Sequence, residues 1–400
     1  MKNRFILPLL LSLSLLLVSC GGGGGGTIAD SRITASTSAP TQSFTQAEKD
    51  FLYGLFTTEY LWYDEVASNV DYSAFDTPQA LIDGVKVPQD KWSFMITQEE
   101  YENSVNQKTA GFGFRYKNDF MILQVLINAP AYHQLYRGDQ ILEINGETVT
   151  QENLAKASQN LNVESTFTVL RSGVDTNVSI IPREYTFKVT MGKILANTTI
   201  GYLRYDSFTG TSVTEFEEEF TKFKAAGITD LIIDLRYNGG GSVDVASALL
   251  DNITNQYSGQ RQAYFDWNEN YKSKNSDITF GDVEPNDLDM KRVTFLVTKN
   301  SASASELVIS ALKPYLGNAN IVTIGEATHG KPVGMAGKAY GSNFYFLIDF
   351  YVRNNAGETT SLDGIPATCT AEDDLTHLMG DPDETMLKTA VHYLDTGNCL

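Results

Sequence analysis

The chain has 400 residues, 42% of them hydrophobic and only 20% charged, with a formal net charge of −19. That is enough apolar material for two or three packed domains, and it excludes disorder as the default state. So acidic a chain has no basic surplus to displace counterions from phosphates, and no cluster of Lys and Arg stands out, which argues against nucleic acid as a partner.

The first element is a leader. Lys2 and Arg4 precede an apolar run, residues 5–18, that ends in Leu17-Val18-Ser19-Cys20. A basic start, a short apolar core and a small-residue exit describe a secretory signal too short to span a bilayer comfortably. A Cys at this boundary resembles the lipobox of bacterial lipoproteins. The resemblance implies a signal peptide over residues 1–20, Cys20 lipidated at the new N-terminus, and a flexible Gly/Ser/Thr tether over 21–44. The protein would then sit in the bacterial cell envelope, at the outer membrane or the periplasmic face. An ordinary signal peptide with an incidental Cys is the alternative.

Residues 45–105 read as a small helical domain. Thr45-x-x-Glu48 forms a capping box ahead of Phe51, Leu52, Leu55 and Phe56 at helical spacing, and Thr77-Pro78 opens a second helix. Tyr60, Trp62, Tyr63 and Trp92 are most simply core. Residues 106–187 change to short strands and turns. Gly111-Phe112-Gly113-Phe114 stands before a strand at 120–127, and Arg137-Gly138-Asp139 leads into an apolar strand closed by Asn145-Gly146. The pair resembles a PDZ domain. That resemblance implies a G-F-G-F loop whose backbone N–H groups hold a peptide's terminal carboxylate while strand addition supplies further hydrogen bonds.

From residue 190 strands and helices alternate, which predicts an α/β core over 188–400. Strands are expected at 200–205, 231–235, 293–297, 320–324 and 344–352. Between the first two, Ser212-x-x-Glu215 caps a helix carrying Val213, Phe216, Phe220 and Phe223, with Gly227 as its stop. Cys369 and Cys399 lie near one terminus; in an exported protein they suggest a disulfide that staples the tail, with two free thiols as the alternative. The four His residues are scattered, and no Cys/His spacing suggests zinc or another metal.

Three lysine or serine motifs compete for the chemistry. Gly325-Glu-Ala-Thr-His-Gly330-Lys331 nearly matches a phosphate loop, but Pro332 has neither the hydroxyl nor the N–H that loop needs, so no nucleotide is expected. Ser310-Ala-Leu-Lys313 matches a bare S-x-x-K, but no S-D-N follows and Lys313-Pro314 reads as a helix end. Ser301-Ala-Ser303-Ala304-Ser305-Glu306 runs straight into a helix, and alone it reads as a Ser-rich helix start.

Three segments together change that reading. Asp234-Leu-Arg-Tyr-Asn-Gly239-Gly240-Gly241, then 301–306, then 325–331 each follow a predicted strand. In this order, behind a PDZ-like insertion, they resemble the carboxyl-terminal processing peptidases, or tail-specific proteases, which are Ser-Lys serine peptidases. The resemblance covers about residues 50–395. It implies a multidomain α/β (α+β) chain: a helical N-terminal domain, a PDZ domain and a crotonase-like β-spiral peptidase core. It further implies Ser303 as nucleophile, Lys331 as general base, and an oxyanion hole of backbone N–H from Ala304 and from Gly239 or Gly240. No cofactor is implied. The partners are polypeptides, unfolded or with apolar C-termini, and a membrane reached through the lipid.

The mechanism makes a physical demand. Lys at its usual pKa of about 10.4 is charged, and lowering it to near pH 7 to 8 by burial costs roughly 3 to 4 kcal/mol. One position departs from the family pattern: Met335 stands where a Gln commonly orients the amine, and a thioether is only a weak acceptor. A catalytically weak or inactive peptide-binding adaptor is therefore the competing reading.

Overall fold

A computed structural model of the protein describes residues 29–32 and 44–400; the leader, Cys20 and most of the tether lie outside the described residues. A short strand, β1 (Ala29–Arg32), comes first. α1 (Gln46–Thr58) starts as expected, with Thr45 Oγ1 accepting the Glu48 N–H at 3.2 Å. The capping box does not close, however. Glu48 is buried and accepts instead from Asn343 Nδ2 at 2.8 Å and from the Tyr345 hydroxyl, which pins the helix to a distant ribbon. α2 (Pro78–Val85) is capped by Thr77. β2 (Phe94–Thr97) and α3 (Gln98–Val105) complete this unit, which is therefore not purely helical.

The next unit comprises β3 (Lys108–Tyr116), β4 (Ile122–Val125), β5 (Gln140–Ile144), β6 (Glu147–Thr148), α4 (Gln151–Gln159), β7 (Ser165–Arg171), β8 (Val174–Ile180) and β9 (Arg183–Thr186). Asn145 and Gly146 both have positive φ, 53° and 80°, as a two-residue turn between β5 and β6 requires. Gly111-Phe112-Gly113-Phe114 is not a loop. It lies within β3, kinked by positive φ at both glycines, and both phenylalanines are fully buried against Phe167 and Leu154.

The remainder is built from β10 (Thr190–Ile194), β11 (Ile200–Tyr205), α5 (Ser212–Ala226), β12 (Asp230–Asp234), α6 (Val243–Ile253), β13 (Arg261–Trp267), β14 (Ser276–Thr279), β15 (Val293–Val297), α7 (Ala304–Leu316), β16 (Ile321–Gly325), β17 (Val333–Gly334), β18 (Gly337–Tyr340), β19 (Asn343–Phe346), β20 (Phe350–Asn354), β21 (Cys369–Thr370) and α8 (Thr385–Thr396). Six strands form one sheet in the order β10-β11-β12-β15-β16-β21, parallel from β11 onward. Successive side chains of a strand point to opposite faces. Leu231 and Ile233 accordingly join the core under α5, α6 and α7, while Ile232 joins the core under α8. A sheet covered on both faces explains strands that read as unbroken apolar runs.

Three expectations for this region need correction. Ser212 and Glu215 do not cap α5. The Ser212 hydroxyl bonds Thr209 O at 2.6 Å, and Glu215 accepts from Val189 N, Thr190 N and Thr190 Oγ1 of the neighbouring strand. Pro314 does not end its helix but sits in the last turn of α7. The apolar stretch 344–352 is two strands in two sheets, β19 and β20. Between them Asp349 is fully buried, accepting from Ala336 N at 2.7 Å and pairing with Lys338, so the chain turns there. At the C-terminus Cys369 and Cys399 are joined by a disulfide.

Candidate active site

β12, β15 and β16 are adjacent parallel strands, with Asp234 opposite Leu296 and Val297 opposite Gly325. Their C-terminal ends therefore release three neighbouring turns, and these carry the three motif segments. Such a row of carboxyl ends is where open α/β sheets build their sites.

The central turn presents Ser303 at φ 56°, ψ −113°, immediately before α7. A side chain held at positive φ costs about 1–3 kcal/mol and persists only where the surroundings enforce it. The enforcement is visible. Ser301 Oγ donates to Leu235 O at 2.8 Å, Ser305 Oγ to Asn238 O at 2.9 Å, and Ala302 N to Asn238 O at 3.1 Å. The flanking serines, to which the sequence assigned no part, lash the Ser303 turn to the glycine turn.

Glu306 fastens the third turn to the second. Its fully buried carboxylate accepts from Ser303 N (2.9 Å), Lys331 N (2.9 Å), Gly330 N (2.7 Å) and Thr328 Oγ1 (2.6 Å). His329 N adds a bond to Ser301 O at 2.9 Å. One acceptor group thus holds both backbones, and together with the His329–Ser301 bond it fixes the two turns against each other.

In the glycine turn, Gly240 has φ +107°, and a Cβ there would lie 2.8 Å from Ala302 O and 2.9 Å from Ser303 Cβ. Only glycine fits so close to the serine. Its N–H, however, donates to Asn238 Oδ1 at 2.9 Å, so Gly240 is not an available oxyanion donor, contrary to its place in the expected pair. Gly239 N–H meets no acceptor among the described residues, and Ala304 N–H lies in the first turn of α7, where no intrahelical partner exists.

Lys331 is 8% exposed and forms no ion pair among the described residues. Burial pulls its pKa down to about 8, against the opposing fields of Asp90 and Glu306. It shares a cavity with Ser303 whose other walls include Val243, Leu307, Met335 and Val352. Met335 is buried in that wall, so a thioether borders the cavity where the family pattern places an amide.

Asp90 and Trp92 are contributors that sequence reasoning missed; Trp92 read simply as core, and no motif marks Asp90. Asp90 accepts from Tyr60 Oη (2.8 Å), Trp92 N and Ser93 N (both 2.9 Å) and the Ser93 hydroxyl. Trp92 Nε1 donates to His329 Nε2 at 3.2 Å, so the N-terminal unit is fastened to the lysine turn. From the other side, β3 sends Arg115 Nη1 to Tyr237 O at 2.7 Å, next to the glycine turn. Gly111, Phe112, Gly113 and Phe114 belong to that same strand rather than to the cavity.

Known proteins with similar sequences agree on one family. The model of peptidase family S41 matches residues 199–368, and the model of the peptidase S41 N-terminal domain matches residues 47–94. The carboxy-terminal processing protease CtpA of Bacillus subtilis is 23% identical over 295 residues, covering 70% of this chain and 60% of that protein. A CtpA-like serine protease of Staphylococcus aureus is 28% identical over 265 residues, covering 62% and 51%. The chain thus spans between about half and three fifths of the length of these curated relatives. A crystal structure from Bacteroides fragilis assigned to the S41 proteases superposes with a TM-score of 0.74 at 22% identity, over 87% of this chain and 97% of that one. The photosystem II D1 C-terminal processing protease gives 0.51 at 16% identity, over 82% and 94%. At these identities the structures speak for a shared fold.

Proposed function

The chain belongs to peptidase family S41, and from that premise we propose that it is a serine endopeptidase acting through Ser303 and Lys331. Neutral Lys331 takes the proton of Ser303 Oγ as that oxygen attacks the scissile carbonyl. The oxyanion is held by the N–H groups of Ala304 and Gly239, each such donor being typically worth about 100- to 1000-fold in rate. Lys331 returns the proton to the departing amine, leaving an acyl-enzyme, and then activates the water that hydrolyses it. The observation that carries this reading is a buried lysine without an ion-pair partner among the described residues, in one cavity with a serine held at positive φ. A lysine buried for structure alone is ordinarily paired with a carboxylate.

The rest of the chain serves delivery. We read residues 45–105 as an N-terminal domain that braces the lysine turn through Trp92 and His329, 106–187 as a PDZ domain that binds polypeptide C-termini along β3 at Gly111 to Phe114, and 188–400 as a crotonase-like peptidase core. Cys20 carries the lipid that fixes the exported enzyme to the cell envelope. The test is cleavage of a denatured protein with an apolar C-terminus by the soluble mature form beside its Ser303→Ala variant; equal cleavage by both overturns the assignment.

Met335 favours a second reading, a peptide-binding adaptor with a weak or silent site. Labelling of Ser303 by a serine-reactive probe, lost in Lys331→Ala, excludes the adaptor; no labelling at any pH up to about 10 favours it.

A further inference from the structure

β1 (Ala29–Arg32) runs antiparallel along β3, with Ala29 opposite Tyr116, Asp30 opposite Arg115 and Arg32 opposite Gly111. It takes the edge of β3 away from β4, and it also touches α4. A piece of the N-terminal segment is thus laid as a strand in the groove between β3 and α4, its C-terminal end towards the kinked glycines. An incoming peptide that adds to β3 needs the same row of backbone N–H and C=O groups. One edge cannot pair with two strands.

We propose that Ala29–Arg32 is an intramolecular ligand of the β3–α4 groove, and that polypeptide C-termini bind there by displacing it. This rests on reading residues 106–187 as the peptide-binding unit. The segment is built to be displaced. It pairs through only three residues, Ala29, Asp30 and Arg32, and its register slips between the last two, so that the ladder is incomplete. It also continues past Arg32 into the chain and so has no terminal carboxylate for the glycine segment. Attachment compensates for weakness, because a short tether supplies an effective concentration in the millimolar range. A weak captive ligand of this kind screens out poor peptides and yields to good ones.

The test uses the full chain in detergent with Ser303→Ala to prevent cleavage, beside the same chain carrying Asp30→Pro and Arg32→Pro. Proline has no N–H for the ladder and breaks strand addition. The probe is a fluorescent ten-residue peptide ending in Leu-Ala-Ala with a free carboxylate, read by anisotropy. The proline variant is expected to bind it about tenfold more tightly, as for a groove that the captive strand leaves open about a tenth of the time. Backbone amides 112–116 should also exchange hydrogen faster in that variant. Equal affinity with equal exchange overturns the captive strand while leaving the peptide groove intact. Failure of both proteins to bind, or binding equally well when the peptide is C-terminally amidated, brings down the groove reading and this inference with it.

Discussion

Arg236 and Lys331 are both cations withdrawn from water at the carboxyl ends of one sheet. Arg236 is completely buried among Asp234, Glu384 and Asp373, the last two at 2.8 Å, and these carboxylates hold it charged, its pKa raised well above the usual value despite burial. Lys331 is nearly as buried, and there desolvation prevails. Carboxylates are not lacking near Lys331. Those of Asp90 and Glu306 already accept from Tyr60, Trp92 and Ser93, or from Thr328 and the backbone of 303, 330 and 331. The difference between a structural cation and a reactive amine lies in whether the nearby acceptors are already engaged.

Replacing each cation by Met should therefore move stability in opposite directions. Lys331→Met is expected to lower hydrolysis at least about 1000-fold, since it removes the proposed general base. It should also stabilise the fold by roughly 2 to 3 kcal/mol at pH 7. The sign follows from linkage: the folded pKa of about 8 lies below the unfolded value, so the unfolded chain binds the extra proton. The penalty is complete below pH 8 and fades as pH rises towards about 10.5. Urea midpoints at pH 7 and pH 10.5 should show the gain shrinking. A loss of stability at pH 7 would break the comparison. Arg236→Met should destabilise by about 3 to 5 kcal/mol, because Asp234 and Glu384 remain buried without their counter-charge. Here a gain in urea resistance would be the damaging result.

The two sites were unequally legible in the sequence. The strands β11 and β15 and the stop of α5 at Gly227, with φ 65°, match their apolar runs and glycine residue for residue, because two-sided burial writes a continuous signal. The turns that carry Ser303 and Lys331 were marked by local motifs at strand ends. Nothing local marks Arg236 as saturated, since Asp373 and Glu384 come from a segment far along the chain. The same holds for Asp90, which is brought to the site by distant contacts such as Trp92 to His329 and Ser93 to Ile348. Capping boxes misled at Glu48 and Glu215 for a related reason: tertiary donors outcompeted the local N–H groups. The split of 344–352 was invisible because an apolar run carries no mark of which sheet it joins.

Glu306→Gln sharpens the comparison at smaller scale. The amide keeps the volume but presents a donor to groups that are themselves donors, so the turns bearing Ser303 and Lys331 lose their common anchor. kcat/KM should fall by about 10- to 100-fold. A purely structural loss would leave the pH profile in place. Removing the charge also removes a field that raises the Lys331 pKa, so the acid limb should move to lower pH.

Asp90→Asn isolates the electrostatic part. Asn Oδ1 can still accept from Trp92 N and Ser93 N, and the hydroxyls of Tyr60 and Ser93 can turn to accept from its Nδ2, so the loop keeps its hydrogen bonds. In the parent enzyme kcat/KM should rise through about pH 8 as Lys331 loses its proton. Asp90 raises that pKa, so its neutral replacement lets the amine deprotonate at lower pH. Activity at pH 7 should then increase by about two- to threefold while activity at pH 9.5 stays nearly level. The ratio of the two rates cancels losses common to both, such as a fraction of misfolded protein. An unchanged ratio would mean that the N-terminal unit fastens the lysine turn without tuning its amine; a ratio displaced the other way would mean that burial, and not the surrounding charge, was altered.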